Sequence, residues 1–247
     1  MSLAKILYYA LSALAVLIVL TIHEYSHAYA AYKLGDPTAK NMGRLTLNPI
    51  KHIDPFGALC MLLFHFGWAR PVPINARNFK NPKRGFAITA LAGPLSNLVM
   101  AFITAFVYLL TYALFRDVSF TSKFALNIVQ NTLDFIYLFH IINVGIAVFN
   151  LIPVPPLDGS RILNVVLPPK AYFSIMKYER TIYLALIGWL LLGGYAASFL
   201  LSNPIISNNV VLSFLASLLD LSGRLSDIFA WISKGMMEFW KLIPFLR

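Results

Sequence analysis

The stretch that decides the fold of this chain is Thr21-Ile22-His23-Glu24-Tyr25-Ser26-His27-Ala28, at the C-terminal end of a long apolar run. If this stretch is helical, His23 and His27 stand about 40° apart on one face, one turn from each other. Both imidazoles can then bind one metal ion, while Glu24 can contact a water molecule on that ion. Ionisable side chains within an apolar span are expensive and usually functional. The stretch therefore predicts a metal site inside the membrane boundary.

The composition predicts a polytopic membrane protein. The chain has 247 residues, of which 59% are hydrophobic and only 12% are charged, and its mean hydropathy is +0.71. A soluble domain of this length is not so poor in charged residues. The formal net charge of +10 does not suggest nucleic acid, because excess Lys and Arg in a membrane protein normally mark the cytoplasmic loops. The single cysteine, Cys60, excludes an internal disulfide and a zinc site built on cysteines.

Apolar runs along the sequence predict about six transmembrane or membrane-embedded helices. Full-length spans are expected at residues 3–32, 87–115, 134–151 and 183–201, and shorter embedded segments at 56–68 and 210–219. A span needs roughly 20 residues, so the two short segments can lie in the membrane only against other helices. Pro71 and Pro73 exclude a helix at residues 67–75 and predict a short extended or β segment near the metal motif. The expected fold is an all-α polytopic membrane protein with this one extended segment.

Local signals complete the predicted organisation. Turn chemistry in Gly35-Asp36-Pro37 ends the first span. A Gly-Pro-x-x-Asn sequence at residues 93–97 predicts either a close helix contact at Gly93 or a broken helix near a polar group. Apolar residues recur at helical spacing between residues 224 and 241, as in an amphipathic helix at the membrane interface. We therefore expect a membrane core at residues 1–202 and a membrane-associated C-terminal segment at residues 203–247.

The basic residues predict the orientation of the chain in the membrane. Most of them fall in loops on one side of the predicted spans: Lys33, Lys40, Arg44, Lys51, Arg70, Arg77, Lys80, Lys83, Arg84, Arg161, Lys170, Lys177 and Arg180. The opposite loop, at about residues 116–130, contains only Arg116 and Lys123. By the positive-inside rule, the metal motif opens toward the cytoplasm and the N-terminus begins outside. No cleavage site follows the first apolar run, so we expect a retained span.

A zinc ion in a hydrolase needs a third protein ligand besides two histidines. Asp158 is favoured, because a Pro-x-Pro-Pro bend places it just past the end of a predicted span. Irregular backbone at such a bend can direct a carboxylate back into a polar cavity. The chemistry of the residues alone leaves His52 and His140 as alternative ligands.

With these residues in view, the chain resembles the site-2-type intramembrane zinc metalloproteases, roughly over residues 22–163. The motif at residues 23–27 is similar to the family's metal motif, and further similar blocks follow in the family's order at residues 48–57, 67–75, 92–97 and 149–159. The last block, Asn-x-x-Pro-x-Pro-Pro-Leu-Asp-Gly, is the most specific after the metal motif. The resemblance implies that His23, His27 and Asp158 bind one Zn²⁺ per chain. It also implies that Glu24 is the catalytic base.

The resemblance further implies a substrate and a setting. Members of the family cut transmembrane helices of other proteins, so the expected partners are a membrane-protein substrate and the lipid bilayer, with no nucleic acid and no predicted oligomeric state. The expected location is a prokaryotic cell membrane, in a minimal form of the family without a PDZ or CBS domain. Asn150 and Asn97 match polar positions near the family's site and are candidates for substrate binding. Ser160 and His65 depart from the family pattern, and His65 leaves open a second weak metal contact.

A second function class is a noncatalytic membrane protein that binds metal or serves as a scaffold. Glu24 favours the protease, because a metal carrier needs ligands but no base beside the bound water. A transporter is also expected to show ligands along its spans, and beyond the predicted site only His140 and Asp134 lie inside one. The predicted function is therefore hydrolysis of peptide bonds within or near transmembrane helices of membrane proteins.

Overall fold

The computed structural model describes residues 3–57 and 69–247, and it places most of them in α-helices. In chain order the helices are α1 (Leu3–Lys33), α2 (Thr38–Asn41), α3 (Pro82–Phe115), α4 (Lys123–Leu151), α5 (Asp158–Val166), α6 (Pro169–Met176), α7 (Glu179–Leu201), α8 (Pro204–Ser207), α9 (Val210–Ser217) and α10 (Leu221–Trp240). Short 3₁₀ turns lie at Pro49–Lys51, Ala76–Asn78 and Pro244–Leu246. The predicted all-α architecture is confirmed.

Four helices of the described residues are long and apolar enough to cross a membrane, namely α1, α3, α4 and α7. They correspond to the four predicted full-length spans. Of the two shorter predicted segments, residues 210–219 form only the eight-residue α9, and residues 56–68 lie largely outside the described part of the chain. The structure thus supports four spans where the sequence suggested about six membrane helices.

Three of the spans begin earlier than the apolar pattern predicts, namely α3, α4 and α7, the last at Glu179 rather than at residue 183. α3 begins at Pro82 because the Asn81 side chain accepts a hydrogen bond from the Arg84 N–H at 3.1 Å and caps the helix. Proline is tolerated in this first position, where its missing N–H would be unpaired anyway. α4 begins at Lys123 rather than at residue 134. The first turns of α4 are mostly exposed and include polar side chains. The apolar run in the sequence therefore predicts only the later part of this helix.

The segment between residues 70 and 75 is not helical, as its two prolines predict. An isolated antiparallel bridge joins Ala69 to Ile53, and the Arg70 N–H donates to the His52 carbonyl at 2.8 Å. The described residues contain no β-sheet, so the predicted β segment is not confirmed as a strand. We call residues 69–75 the extended segment.

The turn at residues 35–37 ends α1 at Lys33, as predicted. Gly35 has a φ of +105°, in the left-handed region that favours glycine. The Asp36 N–H then donates to the Ala31 carbonyl at 2.9 Å, which closes the helix as in a Schellman motif. The turn directs the chain back toward the metal motif.

Asp36 ties the end of α1 to the residues that precede α3. Its side chain is fully buried. Its carboxylate accepts hydrogen bonds from the Thr38 N–H at 3.0 Å, the Asn75 N–H at 2.7 Å and the Asn78 side-chain amide at 2.7 Å. Burial raises the pKa of this carboxyl, but the hydrogen bonds more than offset that effect and hold the pKa below its usual value. Asp36 is therefore an ionised structural residue at neutral pH.

Asp36→Asn is expected to lower the melting temperature at pH 7, because an amide cannot accept all of these hydrogen bonds. A hydrogen bond to a charged group contributes about 1.5–3 kcal/mol, and a loss of this order is expected. The pKa of Asp36 is depressed in the folded protein, so its stabilisation is complete above the unfolded-state pKa and is lost as the pH falls through the folded-state pKa. The difference between variant and wild type should therefore shrink below about pH 4.

Thermal unfolding in detergent, recorded between neutral and acidic pH, measures this difference. The matched control is Asp227→Asn, which removes the charge of an exposed aspartate on α10. A difference in melting temperature that is equally large at every pH would contradict an ionic role for Asp36.

The core of the bundle lies between α1, α3 and α4. Ala15 and Val19 of α1 form a buried cluster with Phe139 of α4. Small side chains at such contacts let membrane helices approach closely. This close approach places the metal motif of α1 directly against α3.

The C-terminal helix α10 packs against α3, α4 and α7. Its Ser233 hydroxyl lies 2.8 Å from His140 Nε2, and the Trp240 indole N–H donates to the Phe102 carbonyl at 2.9 Å. The amphipathic helix predicted at residues 224–241 is therefore present at Leu221–Trp240 and is bonded to the bundle. Its depth relative to the membrane interface and the domain boundary at residue 202 stay predictions.

Candidate metal centre

The two histidines of the metal motif are buried between α1 and α3. Both rings face Gly93 of α3, where a Cβ atom would lie 2.5 Å from His27 Cε1 and 2.7 Å from His23 Cε1. Real Cβ atoms do not make contacts this short, so only glycine fits at this position. α3 remains continuous through Pro94. Of the two alternatives that the sequence offered for Gly93, the structure shows the close helix contact.

Asp158 reaches the histidines from the start of α5. The bend after α4 reverses the chain, and Gly159 lets α5 approach the end of α4 closely, since a Cβ there would lie 2.5 Å from the Ile152 carbonyl oxygen. Residue 158 is 135 positions from His23 in the sequence, yet its Oδ2 lies 3.1 Å from His23 Nε2. The same oxygen lies 3.2 Å from His27 Nε2.

The three atoms form a nearly equilateral triangle. The third side, between His23 Nε2 and His27 Nε2, measures 3.1 Å. Zinc binds imidazole nitrogen at about 2.0–2.1 Å in tetrahedral geometry, so two of its ligand atoms stand about 3.3–3.4 Å apart. The observed separations are slightly shorter than this spacing. The triangle is therefore close to the shape that one face of a zinc coordination shell requires.

The hydrogen bonds of the two rings define which nitrogen carries the proton. His27 Nδ1 donates to the Thr89 carbonyl at 2.7 Å, since a carbonyl can only accept. His23 Nδ1 lies 2.5 Å from Asn97 Oδ1 and donates to it. In the neutral imidazole the other nitrogen, Nε2, then presents a lone pair. Two lone pairs and a carboxylate oxygen therefore meet in the triangle, an arrangement that a cation stabilises.

Glu24 lies beside this triangle and contacts the extended segment. Its Oε2 accepts a hydrogen bond from the Val72 N–H at 3.0 Å. The buried Arg44 guanidinium donates to the Arg70 carbonyl at 2.5 Å and fixes the same segment. Burial lowers the pKa of Arg44, and the negative charge of Glu24 partly opposes that shift. The Glu24 carboxylate thus belongs to the metal motif and is bonded to the backbone of the extended segment at Val72.

Other residues considered from the sequence lie elsewhere. His52 Nε2 is 2.8 Å from the Thr46 carbonyl, and His140 contacts Ser233 and the Ala101 carbonyl, so neither joins the triangle. The Asn150 side-chain amide donates to the carbonyl of Ile146 in its own helix at 3.0 Å. His65 lies outside the described residues.

Several residues that support the histidines are not predicted from the sequence. The Thr89 carbonyl holds His27, and Asn143 contacts Asn97 from α4. A backbone carbonyl leaves no signature in the sequence. Asn143 does leave one, because it lies in an apolar span seven residues before Asn150 and therefore on the same helical face.

Comparison with known proteins connects this geometry to a family. A family model described as peptidase family M50 matches residues 11–193. YwhC of Bacillus subtilis, named as a candidate zinc metalloprotease, is 45% identical over 71% of this chain and 80% of its own length. Rip2 of Mycolicibacterium smegmatis, also named as a candidate zinc metalloprotease, is 26% identical over 69% of this chain and 62% of its own length. Zinc metalloprotease MJ0392 of Methanocaldococcus jannaschii is 24% identical over 66% of this chain and 36% of its own length. No solved structure shows a significant match.

The family match spans the part of the chain that forms the triangle. It runs from α1 into α7 and includes His23, Glu24, His27 and Asp158. The resemblance found in the sequence motifs is thereby confirmed, and the four apolar helices agree with the membrane location that it implied. The chain is an integral membrane protein and belongs to peptidase family M50.

Proposed function

We propose that this protein is an intramembrane zinc endopeptidase that hydrolyses peptide bonds within or near transmembrane helices of membrane-protein substrates. The observation that carries the proposal is the triangle formed by the Nε2 atoms of two buried histidines and one carboxylate oxygen of the half-buried Asp158. His23, His27 and Asp158 would hold one Zn²⁺ per chain. The zinc metalloprotease names of the relatives support the metal and the reaction class.

The chemistry divides between the metal and Glu24. Bound zinc would supply a Lewis acid that polarises the scissile carbonyl and makes water a better nucleophile. Glu24 accepts the proton of the attacking water and transfers it to the leaving nitrogen as the C–N bond breaks. The products are a new carboxyl terminus and a new amino terminus. The carboxylate is buried, and a low-dielectric site strengthens its interaction with the developing charges.

The extended segment is the proposed docking strand for the substrate. A helical substrate has no free backbone groups and must unwind before its peptide bond can react. The segment is held in place by Glu24 at the Val72 N–H, by Arg44 at the Arg70 carbonyl and by Asp36 at the Asn75 N–H. An unwound strand laid along it would pass beside the catalytic carboxylate.

The two asparagines proposed for substrate binding differ in their surroundings. Asn97 is fully buried, and both ends of its amide are bonded to protein atoms. We therefore assign Asn97 to the support of His23. Asn150 is only half-buried, and its amide contacts its own helix. Asn150 remains the candidate for a hydrogen bond to the substrate or to the oxyanion.

The proposed location is a prokaryotic cell membrane with the site open to the cytoplasm. The relatives named above come from bacteria and an archaeon. The ends of the spans that border the extended segment carry most of the basic loop residues, and the loop between α3 and α4 carries few. The positive-inside rule then puts the catalytic side toward the cytoplasm.

Cleavage of a membrane-spanning test substrate in liposomes tests the proposal. We expect cleavage by the purified protein, its loss after treatment with a chelator, and its return when zinc is added. Asp158→Asn should lower zinc affinity by about 100-fold or more, because changes outside the ligand shell already cause 10–100-fold losses. Asp134→Asn, at an exposed aspartate on α4, is the matched control and should behave as wild type.

Two outcomes would contradict the proposal. Cleavage that survives complete removal of zinc would exclude metal catalysis. Tight zinc binding by a preparation that cleaves no membrane-spanning substrate would favour the noncatalytic metal-binding alternative.

A further inference from the structure

Asn143 carries a buried side-chain amide inside an apolar span. The proposed mechanism gives this side chain no role. It lies on α4, is fully buried, and does not belong to the ligand triangle. Its side-chain nitrogen donates to the Phe139 carbonyl at 2.8 Å. Its oxygen accepts a hydrogen bond from the side-chain nitrogen of Asn97 at 2.9 Å. Asn97 in turn contacts His23, so a line of hydrogen bonds runs from α4 through α3 to α1.

We propose that Asn143 is a positioning residue that sets the orientation of the Asn97 amide and thereby keeps the metal-binding nitrogen of His23 free of a proton. This inference rests on the proposed function, in which His23 binds zinc through Nε2. It concerns a residue that acts through two others and does not itself contact the metal.

The direction of each hydrogen bond in this line is determined by one fixed end. The Phe139 carbonyl can only accept, so Asn143 must point its NH₂ group toward it. The Asn143 oxygen then faces Asn97 and requires a donor there, which is the Asn97 NH₂ group. The Asn97 oxygen is left facing His23 Nδ1. His23 must therefore carry its proton on Nδ1.

The opposite orientation of the Asn97 amide would block metal binding. Its NH₂ group would then face His23 Nδ1, and that nitrogen would have to accept, so the proton would move to Nε2. An Nε2–H cannot bind a metal ion. Asn143 excludes this orientation because two amide oxygens would then face each other between two fully buried side chains. Without Asn143, the remaining restraint on Asn97 is its contact with the Val19 carbonyl at 3.5 Å, which is long for a hydrogen bond.

The first test measures zinc affinity by competition with a chelator. Asn143→Leu replaces the amide with an apolar side chain of similar size and should lower zinc affinity about 10-fold or more, within the range seen for outer-shell changes. His140→Leu is the matched control. It removes another fully buried side chain that bonds α4 to its neighbours, one turn away on the same helix, but it does not contact Asn97 or His23. We expect its zinc affinity to equal that of wild type.

The second test separates positioning from helix packing. In Asn97→Asp both side-chain atoms facing His23 and Asn143 are acceptors, so the group accepts from His23 Nδ1 in either orientation. The double variant Asn97→Asp/Asn143→Leu should therefore bind zinc at least as tightly as Asn97→Asp alone, in which the Asn143 oxygen faces a second acceptor. The melting temperature of zinc-free Asn143→Leu should still fall below that of zinc-free wild type, because the side-chain hydrogen bonds of Asn143 are lost. The Asn143 substitution would then lower the melting temperature without lowering zinc affinity in the Asn97→Asp background. A purely structural role of Asn143 would lower both.

Two results would overturn the proposal. Equal zinc affinity in Asn143→Leu and wild type would show that Asn143 does not control the site. If Asn143→Leu lowers zinc affinity by the same factor in the wild-type protein and in Asn97→Asp, then Asn143 acts through packing alone. Failure of the proposed function is distinguishable from both, because wild type and the His140→Leu control would then either bind no zinc or bind zinc without cleaving the membrane-spanning substrate.

Discussion

Glu24→Gln is expected to keep its zinc and to lose cleavage. General acid–base catalysis contributes typically 10²–10⁴-fold, and a fall in the cleavage rate of about this size is expected. The amide oxygen of glutamine can still accept the hydrogen bond that the Val72 N–H now donates to Glu24, so the extended segment should stay in place. The amide cannot accept the proton of the attacking water. Single-turnover cleavage in liposomes, with zinc content determined on the same sample, measures both effects.

The matched control for this prediction is Glu238→Gln. Glu238 is an exposed glutamate on α10 that pairs with Lys241, far along the chain from the metal motif. Its variant should cleave at the wild-type rate. A Glu24→Gln protein that holds zinc and still cleaves within about threefold of wild type would show that another group is the base. Loss of zinc from Glu24→Gln would assign the residue to the metal site instead.

Gly93→Ala is expected to weaken zinc binding strongly, although it adds a single methyl group. The new Cβ would overlap both histidine rings, and the rings are held from behind by the Asn97 side chain and the Thr89 carbonyl. Tightly packed helices cannot separate to make room without losing other contacts. We expect zinc affinity to fall by about 100-fold or more and cleavage to fall with it. Chelator competition and the liposome assay measure the two losses.

Gly188→Ala provides the matched control for Gly93→Ala. Gly188 also lies inside a spanning helix, α7, but apart from its chain neighbours and the backbone of its own helix, no atom of the described residues lies within 4 Å of the position where its Cβ would be placed. Alanine favours helix over glycine by about 1 kcal/mol, so this variant should be at least as stable as wild type and fully active. Normal zinc binding by Gly93→Ala would mean that α1 and α3 are not in the contact described here.

The sequence predicted the part of the site that lies within one helix. His23 and His27 are four residues apart, and helical geometry alone places them on one face. Turn chemistry at Gly35 also predicted the end of α1. The Gly-Pro-x-x-Asn sequence predicted a possible close helix contact at Gly93. Local periodicity and turn chemistry were sufficient for these features because each depends on residues that are neighbours in the chain.

The parts of the site that join distant segments were only partly predictable. Asp158 was favoured over His52 and His140 through its bend, but the contact with His23 spans 135 residues and depends on how α5 packs. The support of His27 by a backbone carbonyl could not be inferred, because every residue has one. Asn143 could have been noticed as a polar residue in an apolar span, yet its contact with Asn97 depends on the packing of α3 against α4.

The helix boundaries deviated for a related reason. An apolar run predicts only the part of a helix that contacts lipid or the protein core. α4 extends several turns beyond that part, toward Lys123. Capping by Asn81 likewise extends α3 to Pro82. The two shorter membrane segments stay predictions, because residues 210–219 form only one short helix beside α7 and residues 56–68 lie largely outside the described residues.

We propose above all that His23, His27 and Asp158 bind a single zinc ion. X-ray absorption at the zinc edge on the purified, metal-replete protein tests it most directly, together with the zinc content per chain. The account predicts one zinc per chain, two imidazole nitrogens at about 2.0–2.1 Å, and the remaining ligands oxygen at about 2.0–2.2 Å. Sulfur at about 2.3 Å, or no stoichiometric zinc after metal-replete purification, would contradict the account.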